Sequence, residues 1–411
     1  MPDINNMPAV LGGNPEFPGS MPFAQPTLPD LDELTGKVRD AFNSKNITNN
    51  IYVRQFEEKA AEYLGVKHAV AVSSCTSGLM LILRSLELEG EAIVPSFTFS
   101  ATVQALVWNN LKPSFADCDM WDFNIDVRDA EGLINERTKA IVAVHVFGMP
   151  ADIKHLENIA GKYGLKLIFD AAHAFGSLYH GRHVGCFGDA EVFSLSPTKL
   201  IAAGEGGIVA TNDAVLAGKI RIGRDYANPG NYDCQFPGLN ARMTEFNAIL
   251  GSKSLETIEA KVKNRNKLAK AYKAGLSGVR GIRFQLEAPG VRSTYKDLSI
   301  MISPDEFGLT RDELVKCVDA ENIRTKKYYF PPVHRQRFCT SMFGFNGHHL
   351  PVTDHVSENI LSLPIFSHMK EEEALGVCRA ISRIYENRHE ISALMRGEHE
   401  DKLLSGAAGV H

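Results

Sequence analysis

Residues 165–212 read LKLIFDAAHAFGSLYHGRHVGCFGDAEVFSLSPTKLIAAGEGGIVATN. Three apolar runs stand out in this stretch: LKLIFDAA, AEVFSLS and GGIVATN. They are nearly continuous rather than alternating, the pattern of strands buried on both faces of a mainly parallel sheet. Upstream, VKHAVAVS, EAIVPS, PSFADCD and KAIVAVHVFG have the same texture. Helix-period stretches such as SGLMLILRSLEL and DIKHLENIAGKYG separate most of them. The alternation predicts an α/β domain whose helices cover a mainly parallel seven-stranded sheet.

Working outward, DLDELTGKVRDAFNS and VRQFEEKAAEYLG read as helices that open this large domain, placed at residues 30–252. Beyond it, RMTEFNAILGSKSLETIEAKVKNRNKLAKAYKAGL reads as one long helix or two in succession. YKDLSIMIS then reads as a strand, and TRDELVKCVDAENI and KEEEALGVCRAISRIYENRHEISALM as helices. Together they suggest a smaller C-terminal α+β domain over 253–400, followed by a tail over 401–411 whose end, SGAAGVH, is expected to be disordered. Seven of the 19 prolines fall in the first 29 residues. Proline fixes φ and lacks a donor, so residues 1–29 are expected to form an extended arm, with Phe17, Met21 and Phe23 available to lie across a neighbouring surface.

With 44 basic and 49 acidic side chains the net charge is −5, which argues against binding nucleic acid or an acidic membrane by bulk electrostatics. The seven cysteines, at 75, 118, 186, 234, 317, 339 and 378, form no CxxC pair. Free thiols in a reducing cytoplasm are expected. The first residues lack a basic and then apolar leader, and no apolar run is long enough for a membrane helix. His180 and His183 form HxxH around a glycine with no third ligand, so a turn is expected there and no metal site. His348-His349 reads as a loop. The run Lys261, Lys263, Arg265, Lys267 and Lys270 reads as a solvated helix face.

In open α/β sheets ligands bind beyond the carboxyl ends of the strands. Three such ends carry chemistry. After VKHAVAVS, Ser74-Cys75-Thr76-Ser77-Gly78 leads into a helix, a cup for a phosphate or simply an ordinary N-cap. LKLIFD ends at Asp170, a strand-end carboxylate that must meet either an internal cation or a ligand. After AEVFSLS, Lys199 stands between two buried strands, either a surface-loop lysine or an amine whose proton affinity is lowered by desolvation. An anion cup, a carboxylate and a lysine together are what pyridoxal 5′-phosphate (PLP) needs: a phosphate site, a partner for its ring nitrogen and a Schiff-base amine. Phe99, in PSFTFS, is placed to stack on the ring or to fill the core.

The ordered motifs SSCTSG, PSFTFSAT, KAIVAVHVFGMPADI, FDAAHAFGS, GRHVGCFGDAEVFSLSPTK, GEGGIVATN and GLNARMTEFNAILG resemble the DegT/DnrJ/StrS family of PLP-dependent sugar aminotransferases over about residues 25–385. The resemblance implies the PLP-dependent transferase fold of type I. It makes Lys199 the Schiff-base lysine and Asp170 the partner of the ring nitrogen, with Phe99 over the ring and His173 near its 3-hydroxyl. Cys75, Thr76, Ser77 and Ser194 would line the phosphate site. Asn240 would reach the phosphate of a neighbouring subunit, which implies a homodimer with shared active sites. The chain departs from the family pattern at Cys75, Ala241 and Pro197, none of which removes a catalytic group. A related branch with histidine at the lysine position performs deoxygenation, so Lys199 argues for transamination.

The implied reaction moves an amino group from glutamate to a nucleotide-linked keto sugar. The motifs most resemble enzymes acting on dTDP- or UDP-linked 4-keto-6-deoxyhexoses, with Tyr329 and His334, in YYFPPVH, as substrate contacts. A 3-keto nucleotide sugar or a keto-cyclitol is an alternative acceptor, and a non-catalytic regulator is a third reading.

Overall fold

The computed structural model describes residues 7–344 and 349–407, with side chains as far as Gly397. His348 lies outside the described residues. The seven expected strands form and join one sheet. They are β1 (His68–Val72), β2 (Glu91–Pro95), β3 (Lys112–Ala116), β4 (Thr138–Val144), β5 (Lys166–Asp170), β8 (Ala190–Ser194) and β9 (Gly207–Thr211). Between β5 and β8 a hairpin, β6 (Leu178–Tyr179) and β7 (Arg182–His183), turns at the HxxH glycine. The spatial order is β3-β2-β4-β5-β8-β9-β1, and β9 alone runs against its neighbours. The period of two sorts the side chains onto two buried faces. Ile168 and Val192 join one apolar cluster, while Phe169 and Phe193 join others on the opposite side.

This topology puts the carboxyl ends of β1, β5 and β8 on one edge, and the reversed β9 brings Gly207 to the same edge opposite Ser194. The helix Cys75–Ser85 starts there because Ser74 caps it: Ser77 N–H donates to Ser74 Oγ at 3.0 Å, and Ser74 N–H donates to Ser77 Oγ at 3.0 Å. Gly78 lets this helix lie close against the sheet. A Cβ there would meet Val192 Cγ2 at 2.7 Å.

The segment after Arg242 forms two helices, Glu245–Leu255 and Ile258–Gly275, interrupted at 256–257. The second bridges two cores. Ile258 and Val262 pack with the large-sheet cluster, whereas Leu268, Ala269 and Tyr272 pack beneath a small antiparallel sheet. That sheet comprises β10 (Ile282–Phe284), β12 (Leu298–Ile302) and β13 (Ile360–Leu363), while the intervening β11 (Val291–Arg292) pairs with β6. The C-terminal helix Arg388–Ala407 continues beyond the boundary expected at 400, which corrects the disorder expected at residues 405–407; residues 408–411 lie outside the described residues.

The N-terminal arm lies across the small-sheet region. Met21 and Phe23 are buried, Met21 N–H donates to Asn322 O at 2.8 Å, and both oxygens of Glu321 accept amides of the arm, from Ala9 and Glu16. Among the described residues no helix is long and apolar enough to cross a membrane.

The basic run at 261–270 is only in part a solvated face. Lys261 and Arg265 are buried. Arg265 Nε donates to Ser367 Oγ at 2.8 Å, and its Nη1 to the carbonyls of Tyr295 (2.9 Å), Lys296 (3.0 Å) and Ile365 (3.3 Å). Charge spacing alone cannot distinguish a guanidinium pointing outward from one inserted between segments. Arg265→Ala leaves these four acceptors without their donor, so it should lower stability by about 3 kcal/mol or more, read as a lower urea midpoint.

Candidate active site

A cavity of about 320 Å³ opens at the strand edge described above, at the lower end of the size range of small-ligand pockets. At one end stand Ser74, Cys75 and Thr76, with Ser194 and Ser196 facing them from the end of β8. The amides of Cys75 and Thr76 belong to a first helical turn and so have no intrahelical acceptor. Backbone from two elements meets here so closely that a Cβ on Gly207 would stand 2.7 Å from Ser74 C and 2.8 Å from Cys75 N. This end is therefore a narrow cup of hydroxyls and helix N–H groups, suited to an anion. Ser77 is not part of the lining. Its hydroxyl serves the cap, accepting Ser74 N–H and donating to Ser74 O at 2.8 Å.

Asp170 closes β5 and is 5% exposed. Its Oδ2 accepts Thr102 Oγ1 at 2.7 Å and its Oδ1 accepts Ala172 N–H at 3.0 Å, with Cys75 Sγ 3.8 Å from Oδ1. Among the described residues no lysine or arginine is bonded to it, so of the two expectations for Asp170 the structure favours a carboxylate held for a ligand. Lys199 follows a short turn, its N–H donating to Ser196 O at 3.0 Å, and lines the same cavity. Burial, and then the Lys296 ammonium, lower the Lys199 amine to about 8, with Asp297, Cys75 and Asp170 pulling the other way. Burial and Asp170 together push the Cys75 thiol up, so it stays protonated.

The opposite wall comes from distant sequence. Lys296 and Asp297, just before β12, are 4% and 2% exposed and paired, Nζ to Oδ1, at 2.8 Å. His173 Nδ1 lies 3.8 Å from Asp297 Oδ2. Burial, Lys199 and Lys296 depress the imidazole well below its usual range, leaving it neutral. Its ring is parallel to that of Phe147 at 6.4 Å, and Phe147 stacks in turn on Tyr329 at 5.8 Å. Burial raises the Tyr328 hydroxyl to about 12 and that of Tyr329 further, so both remain hydrogen-bond donors. Phe99 is 61% exposed at the mouth.

Thus Cys75, Thr76, Phe99, Asp170, His173, Ser194, Lys199 and Tyr329 share one cavity. Asn240 is exposed and does not line it. His334, expected as a substrate contact, stands apart from this cavity and lines another, with Glu91, Phe115 and Cys339. It is 1% exposed and outside the cavity, with Nδ1 at 2.6 Å from Ser96 Oγ and Nε2 at 3.3 Å from Asp354 Oδ1. Both ring nitrogens thus face groups of the protein itself, and the residue ties the loop after Pro332 to the end of β2. Sequence reading missed Lys296, Asp297 and Tyr328. The available signal was an ion pair placed immediately before a buried strand in YKDLSIMIS.

A model of the DegT/DnrJ/EryC1/StrS aminotransferase family matches residues 30–382. The chain belongs to this family. It is 31% identical over 366 residues to a dTDP-4-amino-4,6-dideoxy-D-glucose transaminase of Escherichia coli, covering 88% of this chain and 98% of that protein. It is 36% identical over 336 residues to a UDP-N-acetyl-3-dehydro-α-D-glucosamine 3-aminotransferase of Acidithiobacillus ferrooxidans, covering 80% and 88%. Among solved structures it resembles DesI, determined in the presence of its TDP-sugar product, with a TM-score of 0.89 and 32% identity over 96% of this chain and all of that one. As a DegT/DnrJ/EryC1/StrS member the chain is a PLP-dependent aminotransferase. The cavity fits that cofactor: an anion cup, a braced carboxylate and an amine of lowered proton affinity line one space.

The lowered amine has a direct consequence in the cofactor-free protein. Trace acylation at graded pH, read by peptide mapping, should show Lys199 becoming reactive with a midpoint near 8, against about 10.4 for exposed lysines. Removing the neighbouring ammonium in Lys296→Met should move that midpoint upward.

Proposed function

We propose that this aminotransferase carries an amino group from glutamate to a nucleotide-linked keto sugar, with a dTDP- or UDP-linked 4-keto-6-deoxyhexose as acceptor. The observation that carries the reading is Lys199 in one cavity with Asp170 and the Ser74–Thr76 cup. The name of the Escherichia coli relative and the TDP-sugar product in DesI support the 4-position. The Acidithiobacillus relative, whose name places the amino group at C3 of a UDP-sugar, favours a 3-keto acceptor as the second reading.

In this reading Thr76, Ser194 and the first amides of helix Cys75–Ser85 would hold the cofactor phosphate. Asp170 would meet the ring nitrogen, Phe99 and His173 would flank the ring, and Lys199 would hold the cofactor through its ε-amine. When bound, PLP supplies an electron sink that makes the Cα–H of an amino acid acidic. The chain supplies the rest. Thr102 and the Ala172 amide fix the direction of the Asp170 carboxylate. The Lys199 amine, lowered to about 8 in the cofactor-free protein, would act as the base that takes the proton from the donor Cα and as the acid that gives it up at the cofactor's C4′ carbon. Tyr328 and Tyr329, the latter backed by Phe147, would limit water at that wall. Ser77 acts through the cap that orients the cup. Asn240, exposed in one protomer, would complete the site of a second copy, making the functional unit a homodimer. Free cysteines and nucleotide-sugar substrates suit a cytoplasmic enzyme.

The reading is tested by the visible spectrum of the PLP-loaded protein before and after glutamate, with no sugar present. A yellow band that bleaches on addition supports it. A band unmoved by any amino donor, or no band in folded protein, overturns it. Lys199→Ala should lower turnover by roughly 100- to 10,000-fold. For shared sites, inactive Lys199→Ala and Asn240→Ala proteins should regain activity when their subunits are mixed and exchanged, because each hybrid contains one site free of both lesions. No recovery in verified hybrids would assign Asn240 to its own subunit.

A further inference from the structure

Lys296 is a buried cation of the cavity that the reaction described above does not use. It is 4% exposed, so it is not a solvent-facing lysine whose charge is incidental. Its backbone is fixed on both sides: its N–H donates to Phe147 O at 3.0 Å, and its carbonyl accepts Arg265 Nη1 at 3.0 Å. Its ammonium is held 2.8 Å from Asp297 Oδ1. Asp297 Oδ2, on the same carboxylate, is buried without a hydrogen-bond partner, as is His173 Nδ1 opposite it. A buried lysine–aspartate pair is poor value as a source of stability, because desolvation offsets the attraction. Placed against a ligand cavity, it is a cation held ready for an anion.

We propose that Lys296 is the subsite for the α-carboxylate of the amino donor. Resting on the function proposed above, the inference follows from where charge lies in the two substrates. Both must present their reacting carbon to Lys199. An amino acid carries a carboxylate one bond from that carbon. In a nucleotide sugar, ring atoms separate the carbonyl carbon from the diphosphate. A cation near Lys199 therefore matches the amino acid, and Lys296 is near enough to lower the Lys199 amine. Among the described lining residues there is no arginine, and the cations are Lys199 and Lys296. With Lys199 occupied by the chemistry and the Thr76–Ser194 end by phosphate, Lys296 is the remaining positive group.

The test uses PLP-loaded protein carrying Lys296→Met, the double variant Lys296→Met/Asp297→Asn, which leaves no unpaired buried carboxylate, and Lys296→Arg, which keeps the charge. Single-turnover bleaching is followed against glutamate concentration, and the reverse half-reaction against the amino sugar. The glutamate concentration for half-saturation should rise about 10- to 100-fold in both methionine variants, while that for the amino sugar stays within about 3-fold. Lys296→Arg should recover most of the glutamate loss. Independently of turnover, calorimetric binding of maleate, an unreactive dicarboxylate, should weaken in the methionine variants and persist in Lys296→Arg. Equal losses on both half-reactions, a loss confined to the sugar, or no loss at all overturns the assignment. Failure of the parent reading looks different: the unmutated protein would take up no PLP or ignore glutamate, which overturns both.

Discussion

A carboxylate at the end of a buried strand is the constraint on which the site depends. Asp170 belongs to β5, in the middle of the sheet, with apolar clusters on either face. A carboxyl group there needs hydrogen-bond donors, and the protein supplies a hydroxyl and an amide rather than a cation, which leaves acceptor capacity on both oxygens. That choice leaves the carboxylate available to a ligand that brings its own N–H. Thr102 supplies the hydroxyl from a helix that follows β2, and Cys75 approaches from the helix that follows β1, so two strand–helix connections and the end of β5 are registered on one carboxylate.

The opposite wall is built on a different principle. Lys296 and Asp297 arrive from the edge of the small-sheet core, and their position depends on Arg265, a guanidinium bonded to the carbonyls of Tyr295, Lys296 and Ile365 and to the Ser367 hydroxyl. Four acceptors in fixed directions suit its planar fork of donors. Because the helix that carries Arg265 packs with both cores, the position of Lys296 relative to Lys199 is set by how the two cores meet. Stability and electrostatics are coupled here: the contact that joins the cores also brings a second ammonium toward Lys199.

How well each element could be read from sequence follows from how local its determinants are. The seven strands of the large sheet were readable because each is a short apolar run bounded by polar residues. The cup was readable because Ser74 to Gly78 follows such a run directly. The β6–β7 hairpin was missed as strand, being two residues on each side. The surroundings of His334 were not readable, because a histidine in a proline-rich loop looks the same in sequence whether it faces a ligand or, as in this protomer, Ser96 and Asp354. Ser77, expected at the phosphate site, has its hydroxyl in the helix cap, a pairing that depends on the folded turn.

The sequence by itself determined the α/β class, the order of the strands along the chain, and the identity of Asp170, Lys199 and the Ser74–Thr76 cup, since each follows its own strand within a few residues. The tertiary structure alone decided that these three share a cavity, that Lys296, Asp297 and Tyr328 wall it, and that Asn240 lies outside it. The reason is physical. Local patterning records whether a residue is buried and in which element, but the lowered amine of Lys199 and the neutral state of His173 arise first from burial in the assembled cavity and then from neighbouring ammonium groups, among them Lys296 from about 100 residues away in the chain, which only folding brings within reach.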